Sequence, residues 1–457
     1  LLRALAGLLL TAADGDLTGE VLVDGEPTGQ TSARPALLLQ DPLAGIVAET
    51  VGRDVAFGLE NAGVTPAEIW PRVRGALAAT GFPYPEGHPT SALSGGESQR
   101  MALAGSLVLG SRVLLLDEPT SMLDPEAGAT VREAVRRHVD GWRPTTIIVE
   151  HHLEPWLDLV ERVLVLGKDG RLIADGEPGR VIDQQGECLS RQGVWVPGLP
   201  APDLLEVDSD LVAPWTAAPG AELVRAEAVS LELSHRLLSH RPVGRDAPRR
   251  LALSGVDASL HAGRVLAVTG PSGAGKSSLI SVLAGLRPPT SGSVLSAPSL
   301  GTRRGRQPGR WRSRDLAARL AWVPQSPEQG VVSRTVYDEV LAASRACGRD
   351  AGRAAMRAEG LLEVLGLDSL VNASPYHLSG GEQRRLMVAA ALANGPFGVL
   401  LDEPTVGQDR STWAAVLGAV ASARGAGMGV AIASHDDLAV DVLADDRLML
   451  TQGVAGP

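Results

Sequence analysis

Aromatic residues are scarce in this chain: three Phe, three Tyr and eight Trp among 457 residues. Alongside 53 Gly and 31 Pro, the scarcity reads as the compositional drift of a GC-rich bacterial genome and carries no functional weight. Cysteine is nearly missing too. Cys188 and Cys347 are the only two; they lie far apart and match no metal-ligand spacing, which excludes a zinc cluster and fits a reducing compartment. No apolar run reaches the ~18 residues a membrane-crossing helix needs. There is no basic surplus either. The formal charge of −11 argues against a nucleic-acid partner, whose phosphates favour a basic face. What is present, 44% hydrophobic and 21% charged residues over 457 positions, is the balance of two or three globular domains. The opening Leu1–Ala13 stretch is apolar with Arg3 inside it, which has the flavour of a signal peptide, but an internal repeat makes it an ordinary buried helix.

That repeat settles the organisation. Leu-Ser-Gly-Gly-Glu occurs at Leu93–Glu97 and again at Leu378–Glu382, and Leu-Leu-Asp-Glu-Pro-Thr at Leu115–Thr120 and again at Leu400–Thr405, both with an offset of 285. Gln40 and Gln325 share that offset, and His151 and His435 differ by 284. Four motifs in one register do not arise by chance, and periodic self-similarity is the mark of repeated structural units. The expected domains are 1–182, a Pro/Gly-rich acidic linker over 183–220, and 221–457. In each copy short β-rich apolar runs alternate with Ala/Leu-rich helical stretches, predicting an α/β fold with a mainly parallel sheet covered by helices. Two Arg-rich segments, Arg241–Arg250 and Arg303–Arg314, read as solvated loops.

The second copy carries a phosphate-binding loop. Gly270, Pro271, Ser272, Gly273, Ala274, Gly275, Lys276, Ser277 and Ser278 match the pattern of Gly, four residues, then Gly-Lys-Ser. Glycines let backbone N–H groups approach phosphate oxygens without a Cβ in the way, and the following helix adds its positive end. Lys276 supplies a point charge for the β- and γ-phosphates, and the Ser277 hydroxyl is placed to ligate Mg²⁺. Val399–Leu401 is an apolar strand that ends in two acids, Asp402 and Glu403. Unpaired carboxylates are costly to desolvate. Beside a phosphate loop, Asp402 is expected to hold Mg²⁺ and Glu403 to polarise the attacking water. Asp117 and Glu118 are the same pair in the first copy.

The Leu-Ser-Gly-Gly-Glu element is where family resemblance enters. Over nearly its whole length, linker excepted, the chain resembles a tandem ABC protein with two ATP-binding cassettes. The resemblance implies head-to-tail pairing of the cassettes, with each ATP between the phosphate loop of one and the signature of the other. Ser94, Gly95, Gly96 and Glu97, and Ser379, Gly380, Gly381 and Glu382, match that signature, and each precedes a helix able to offer N–H groups to a γ-phosphate. His151 and His435 match the family's switch histidine. Gln40 and Gln325 match its Gln loop, which senses Mg²⁺ and the transmembrane partner, and Asp124 and Asp409 match the loop that crosses the dimer interface.

Two departures stand out. Leu1–Leu8 parallels Leu279–Leu286, so the first copy starts at the residue after a phosphate loop would have ended. Starting also with Leu rather than Met, it is expected to be a truncated sequence rather than an evolved loss. As written, the chain is expected to assemble one complete site, from Lys276, Ser277, Gln325, Asp402, Glu403 and His435 with Ser94–Glu97. The second departure concerns adenine, which the family stacks on an aromatic residue upstream of the phosphate loop. No Phe, Tyr or Trp occurs between Ala221 and Thr269, and His235 is a weak candidate for the contact.

After the Gln loop, the segments Glu49–Asn61 and Ser333–Val340 resemble those of energy-coupling factor ATPases, which drive bacterial uptake of vitamins and metal ions. This resemblance implies ATP and Mg²⁺ as cofactors, a transmembrane coupling protein and a substrate-binding membrane subunit as partners, and a peripheral position on the cytoplasmic face of the cell membrane. A tandem sugar-importer ATPase shares the same constellation. A soluble ribosome-associated ABC ATPase would usually show a long charged helical linker, and a DNA-repair ABC ATPase would need zinc-binding cysteines.

Overall fold

The computed structural model describes residues 1–10, 17–28, 35–121, 123–167, 170–216, 222–234 and 249–456. The chain divides into two compact units, one built mainly on residues 1–188 and the other mainly on 198–456.

In the second unit, a six-stranded sheet runs in the order Leu320–Val323, Gly398–Asp402, Gly429–Ala433, Val265–Thr269, Asp446–Thr451, Val454–Ala455. The first five strands are mutually parallel, and the last turns back antiparallel. Val265–Val268, Val399–Leu401 and Val430–Ala433 are buried throughout, as continuous apolar strands in a sheet covered on both faces must be. A second, antiparallel sheet is formed by Ser291–Ser296, Glu222–Ser234 and Arg249–His261. The helix Lys276–Leu283 belongs to one core with both sheets: Leu279, Ile280, Val282 and Leu283 join Leu223, Leu253 and Leu260 from the antiparallel sheet and Val268 and Leu400 from the parallel one. Each such side chain contributes roughly 1.5–3 kcal/mol by leaving water. Three helices, Val336–Cys347, Ala351–Val364 and Gly380–Ala393, form the helical part of this unit.

The first unit repeats the plan. Ala36–Leu38, Val113–Asp117 and Thr145–Val149 form a parallel sheet. Alternation along its central strand sends Leu114 and Leu116 into a core with Leu103, Leu107, Val131 and Val135, while Val113 and Leu115 meet Leu2 and Val23 on the opposite side. Successive strand residues point to opposite faces, so an uninterrupted apolar run here means both faces are covered. The opening residues form the helix Leu2–Leu5, ended by Gly7 at φ 73°, as Gly285 at φ 73° follows its counterpart. Val51–Asn61, Pro66–Ala79 and Gly95–Leu107 are the helical part.

The stretch between the copies has more structure than its composition announces. The helix Pro178–Arg191 runs into it, and residues 198–216 lie on the second unit. Leu205 N–H donates to Ala414 O at 3.3 Å, and Val207 N–H to the Ser422 hydroxyl at 3.3 Å. Gly418 permits this close approach, since a Cβ there would fall 2.0 Å from Leu205 O. Trp215 lies beneath the guanidinium groups of Arg349, Arg353 and Arg357, 4.9–5.4 Å from its ring centre, a cation–π cluster. Arg357 is fully buried and donates to the carbonyls of Asp210, Ala213 and Ala393. Of the Arg-rich segments, 241–248 lies outside the described residues. In 303–314 the arginines are exposed while Pro308 and Trp311 are buried.

Candidate functional site

In an open parallel sheet, ligands gather at the carboxyl ends of the strands. Four sequence motifs of the second copy sit at that end of four adjacent strands. Val265–Thr269 leads into Gly270, Leu320–Val323 into Gln325, Gly398–Asp402 into Glu403, and Gly429–Ala433 into His435. In the first unit, Ala36–Leu38 leads likewise to Gln40, Val113–Asp117 to Glu118 and Thr145–Val149 to His151.

The phosphate-loop motif needs its glycines for steric reasons. Gly270 and Gly275 have φ of 132° and 104°. A Cβ on Gly270 would lie 2.1 Å from Leu450 O, and one on Gly275 2.5 Å from Ala252 O. Pro271, Ser272, Gly273 and Ala274 complete the turn, which ends at Gly275, the N-cap of the helix Lys276–Leu283 that carries Ser277 and Ser278. The buried Lys276 ammonium lies inside the loop, donating to Gly270 O at 2.7 Å and Pro271 O at 3.1 Å. Arg250, at the end of a strand of the antiparallel sheet, reaches Gly273 O at 3.4 Å. It therefore belongs to the strand Arg249–His261 and not to the solvated loop expected over Arg241–Arg250. His235 lies outside the described residues.

Ser277 Oγ donates to Asp402 Oδ1 at 3.0 Å. Asp402 is buried, and that burial, reinforced by Glu403, pushes its carboxyl up to about 6 even though the Ser277 hydrogen bond opposes it. A hydroxyl and a carboxylate converging beside a phosphate loop form the hard oxygen set that suits Mg²⁺. In the first copy, burial and the neighbouring Glu118 raise Asp117 in the same direction.

Both glutamates stand in the left-handed backbone region, Glu118 at φ 46° and Glu403 at φ 52°. Such strain in a non-glycine residue costs about 1–3 kcal/mol and persists only where the surroundings impose it. The neighbouring strand helps impose it: Glu118 N–H donates to Val149 O and Glu403 N–H to Ala433 O, each at 2.9 Å. Glu403 Oε1 meets His435 Nδ1 at 2.9 Å, and Glu118 Oε1 meets His151 Nε2 at 2.8 Å. Burial works against a charged imidazole at His435, but the hydrogen bond and charge of Glu403 outweigh it and hold the ring above its ordinary value. A carboxylate and an imidazole held together at a strand end can orient a water and handle its proton.

The signature segments are helix N-termini. Ser94 and Ser379 each close a capping box, accepting from the N–H of Glu97 and Glu382 while those side chains accept from the serine N–H. Gly95, Gly96, Gly380 and Gly381 form the first turns, where backbone N–H groups have no intrahelical acceptor. A Cβ on Gly381 would sit 3.0 Å from Gly407 O. Asp124 and Asp409 N-cap the next helices.

Several residues that single-motif reading did not find also shape the site. Asp54 accepts from the N–H groups of Val47 and Ala48, and its offset partner Glu339 from those of Val332 and Ser333. These acids fix the loop that follows each Gln. Gln99 donates to Glu118 O at 3.1 Å, whereas Arg384, at the same offset, donates to Glu403 O at 2.5 Å. Glu150, just before His151, is hydrogen-bonded by Thr120 at 2.8 Å, and burial pushes it up to about 7. The repeat offset was the available signal for these pairs.

A family model described as ABC transporter matches residues 1–121 and 253–406. The chain belongs to the ABC transporter family. Its relatives include the putative HMP/thiamine import ATP-binding protein YkoD of Bacillus subtilis, 30% identical over 98% of this chain and 81% of that protein. A putative ABC transporter ATP-binding protein of Streptomyces coelicolor is 31% identical over 99% of this chain and 84% of its own length. Among solved structures, one titled RNase-L Inhibitor aligns with 93% of this chain and 74% of its own at a TM-score of 0.57 and 21% identity, a likeness of fold alone. This ABC chain is thus a tandem ATP-binding protein, an ATPase whose hydrolysis of ATP drives transport. ABC ATPases pair with transmembrane subunits, and among the described residues no helix of this one is long and apolar enough to cross a membrane.

Proposed function

We propose that this ATPase powers an importer of the energy-coupling type, which carries a small organic nutrient of the vitamin or vitamin-precursor class, with HMP or thiamine as the first candidates. The reading rests above all on similarity to the putative HMP/thiamine import ATP-binding protein along almost the entire chain. The segments after Gln40 and Gln325, braced by Asp54 and Glu339, agree with it. Its partners would be a transmembrane coupling protein and a substrate-binding membrane subunit, placing the chain on the cytoplasmic face of the membrane. Cassettes at 1–182 and 221–457, with 183–220 connecting them, remain part of this proposal.

The chemistry follows from the second copy. Lys276 and the backbone of Gly270–Ser278 bind the β- and γ-phosphates, giving charge and donors where negative charge gathers. Ser277 and Asp402 would hold Mg²⁺, with Gln325 nearby on its own strand end; bound there, the ion would neutralise phosphate charge. Glu403 aligns a water and takes its proton, while His435 holds the glutamate and faces the γ-phosphate. Ser94–Glu97 and Ser379–Glu382 offer hydroxyl and N–H donors for γ-phosphates. In the first copy Gln40, Asp117, Glu118 and His151 take the corresponding parts.

Uptake of labelled thiamine and of labelled HMP in cells with and without the gene tests the reading. Loss of uptake of either compound, together with co-purification of a transmembrane partner, supports it. Unchanged uptake of both removes the substrate assignment, and sedimentation with ribosomes in place of a membrane partner removes the importer reading.

A further inference from the structure

Burying a cation is costly. Arg384 is a buried cation that donates its hydrogen bonds to backbone carbonyls, with the Asp402 and Glu403 carboxylates close enough to favour its charge. It lies five residues into the chain from Ser379, in the helix Gly380–Ala393, and is only 4% exposed. Its two terminal nitrogens divide between two loops. Nη1 donates to the backbone carbonyl of Glu403 at 2.5 Å and Nη2 to that of Gln325 at 3.1 Å. The planar fork of a guanidinium suits two acceptors held at a fixed separation. The Gln325 side chain itself is exposed while its backbone is fastened. Glu403 is fastened on both sides of its strained residue, through its N–H to Ala433 and through its carbonyl to Arg384.

The first copy provides an internal control. Gln99 occupies the matching position, donates to Glu118 O at 3.1 Å and, among the described residues, makes no hydrogen bond to Gln40. A neutral amide therefore suffices to hold the glutamate carbonyl. What Arg384 adds is the second loop and a positive charge behind Asp402 and Glu403.

We propose that Arg384 is a positioning residue that locks the Glu403 loop to the Gln325 loop, so that the carboxylate is aimed at its water only while the Gln325 loop is seated. The proposal rests on Glu403 being the glutamate that activates water. It makes the second cassette's hydrolysis dependent on the loop nearest its expected membrane partner, a dependence the first cassette lacks.

The test uses the intact protein carrying Glu118→Gln, so that turnover reports the second cassette, with active chains counted by binding of a fluorescent ATP analogue. Arg384→Gln, which copies the first cassette, is expected to lower kcat per bound nucleotide about tenfold while KM for ATP stays within about twofold. Arg384→Lys, whose single ammonium reaches one carbonyl well, should fall between it and the parent. A purely structural arginine would reduce the number of binding-competent chains and leave turnover per bound nucleotide unchanged. Parental turnover per bound nucleotide in both variants overturns the proposal, and if Arg384→Gln does not fold, Arg384→Lys alone decides. Glu403→Gln in the same background separates the two claims. If it retains turnover, the glutamate reading fails; if it abolishes turnover while both Arg384 variants stay at the parental rate, only the clamp fails.

Discussion

The two copies use one plan with different fittings. Each brings a Gln, an Asp-Glu pair and a His to the carboxyl ends of parallel strands, and each strains its glutamate into the left-handed region. Beyond that shared frame they diverge. The second surrounds its glutamate with Lys276, Ser277 and the two-loop arginine. The first has Gln99 in place of Arg384 and Glu150 in place of Ser434, putting an extra acid beside Glu118 and His151. The comparison teaches that motif identity fixes where the reacting groups stand, while the residues behind the motifs decide how firmly and with what charge they are held.

The largest effect that bears on this contrast is expected from Lys276→Ala. Removing the buried ammonium should weaken ATP binding at that cassette about a hundredfold or more, since charge-assisted contacts to phosphate are strong. Equilibrium binding of a fluorescent ATP analogue measures it. An unchanged affinity would mean that the phosphate loop is not where ATP is held.

A smaller effect sharpens the contrast from the other side. Glu150 titrates near 7 in the fold against 4.5 unperturbed, so between those values the folded state binds more protons than the unfolded chain. Stability therefore falls as pH rises from 4.5 to 7 and stays lowered above that. Glu150→Gln keeps an acceptor for Thr120 and removes the charge. It is expected to stabilise the first unit by about 1–2 kcal/mol at pH 8 and by almost nothing at pH 4. Denaturant unfolding at the two pH values measures this. A gain equal at both would show that the carboxyl is not the cause.

Much of this was legible in the residues. The offset of 285 placed both signatures, both acid pairs and both glutamines, and apolar runs ending in polar motifs predicted parallel strands with a site at their ends. Such features are local, because a strand that is buried on both faces and a loop that needs glycine both leave their mark in consecutive residues. Residues 198–216 were less legible. Their Pro/Gly content records only that they do not continue a helix, whereas the contacts that hold them, Leu205 on Gly418 and Trp215 under Arg349, Arg353 and Arg357, join positions more than 130 residues apart. Arg384 posed the same difficulty. It reads as one more arginine after a signature, and only the tertiary fold reveals the two carbonyls it spans.

Hydrolysis in the second cassette is expected to depend on Glu403 as the group that activates water. Steady-state ATP turnover and nucleotide binding, measured together in Glu403→Gln, test it most directly. ATP is expected to stay bound at that cassette while its turnover falls about 10²- to 10⁴-fold, the usual worth of a positioned general base. Undiminished turnover in that variant, with Glu118→Gln also present, would contradict it.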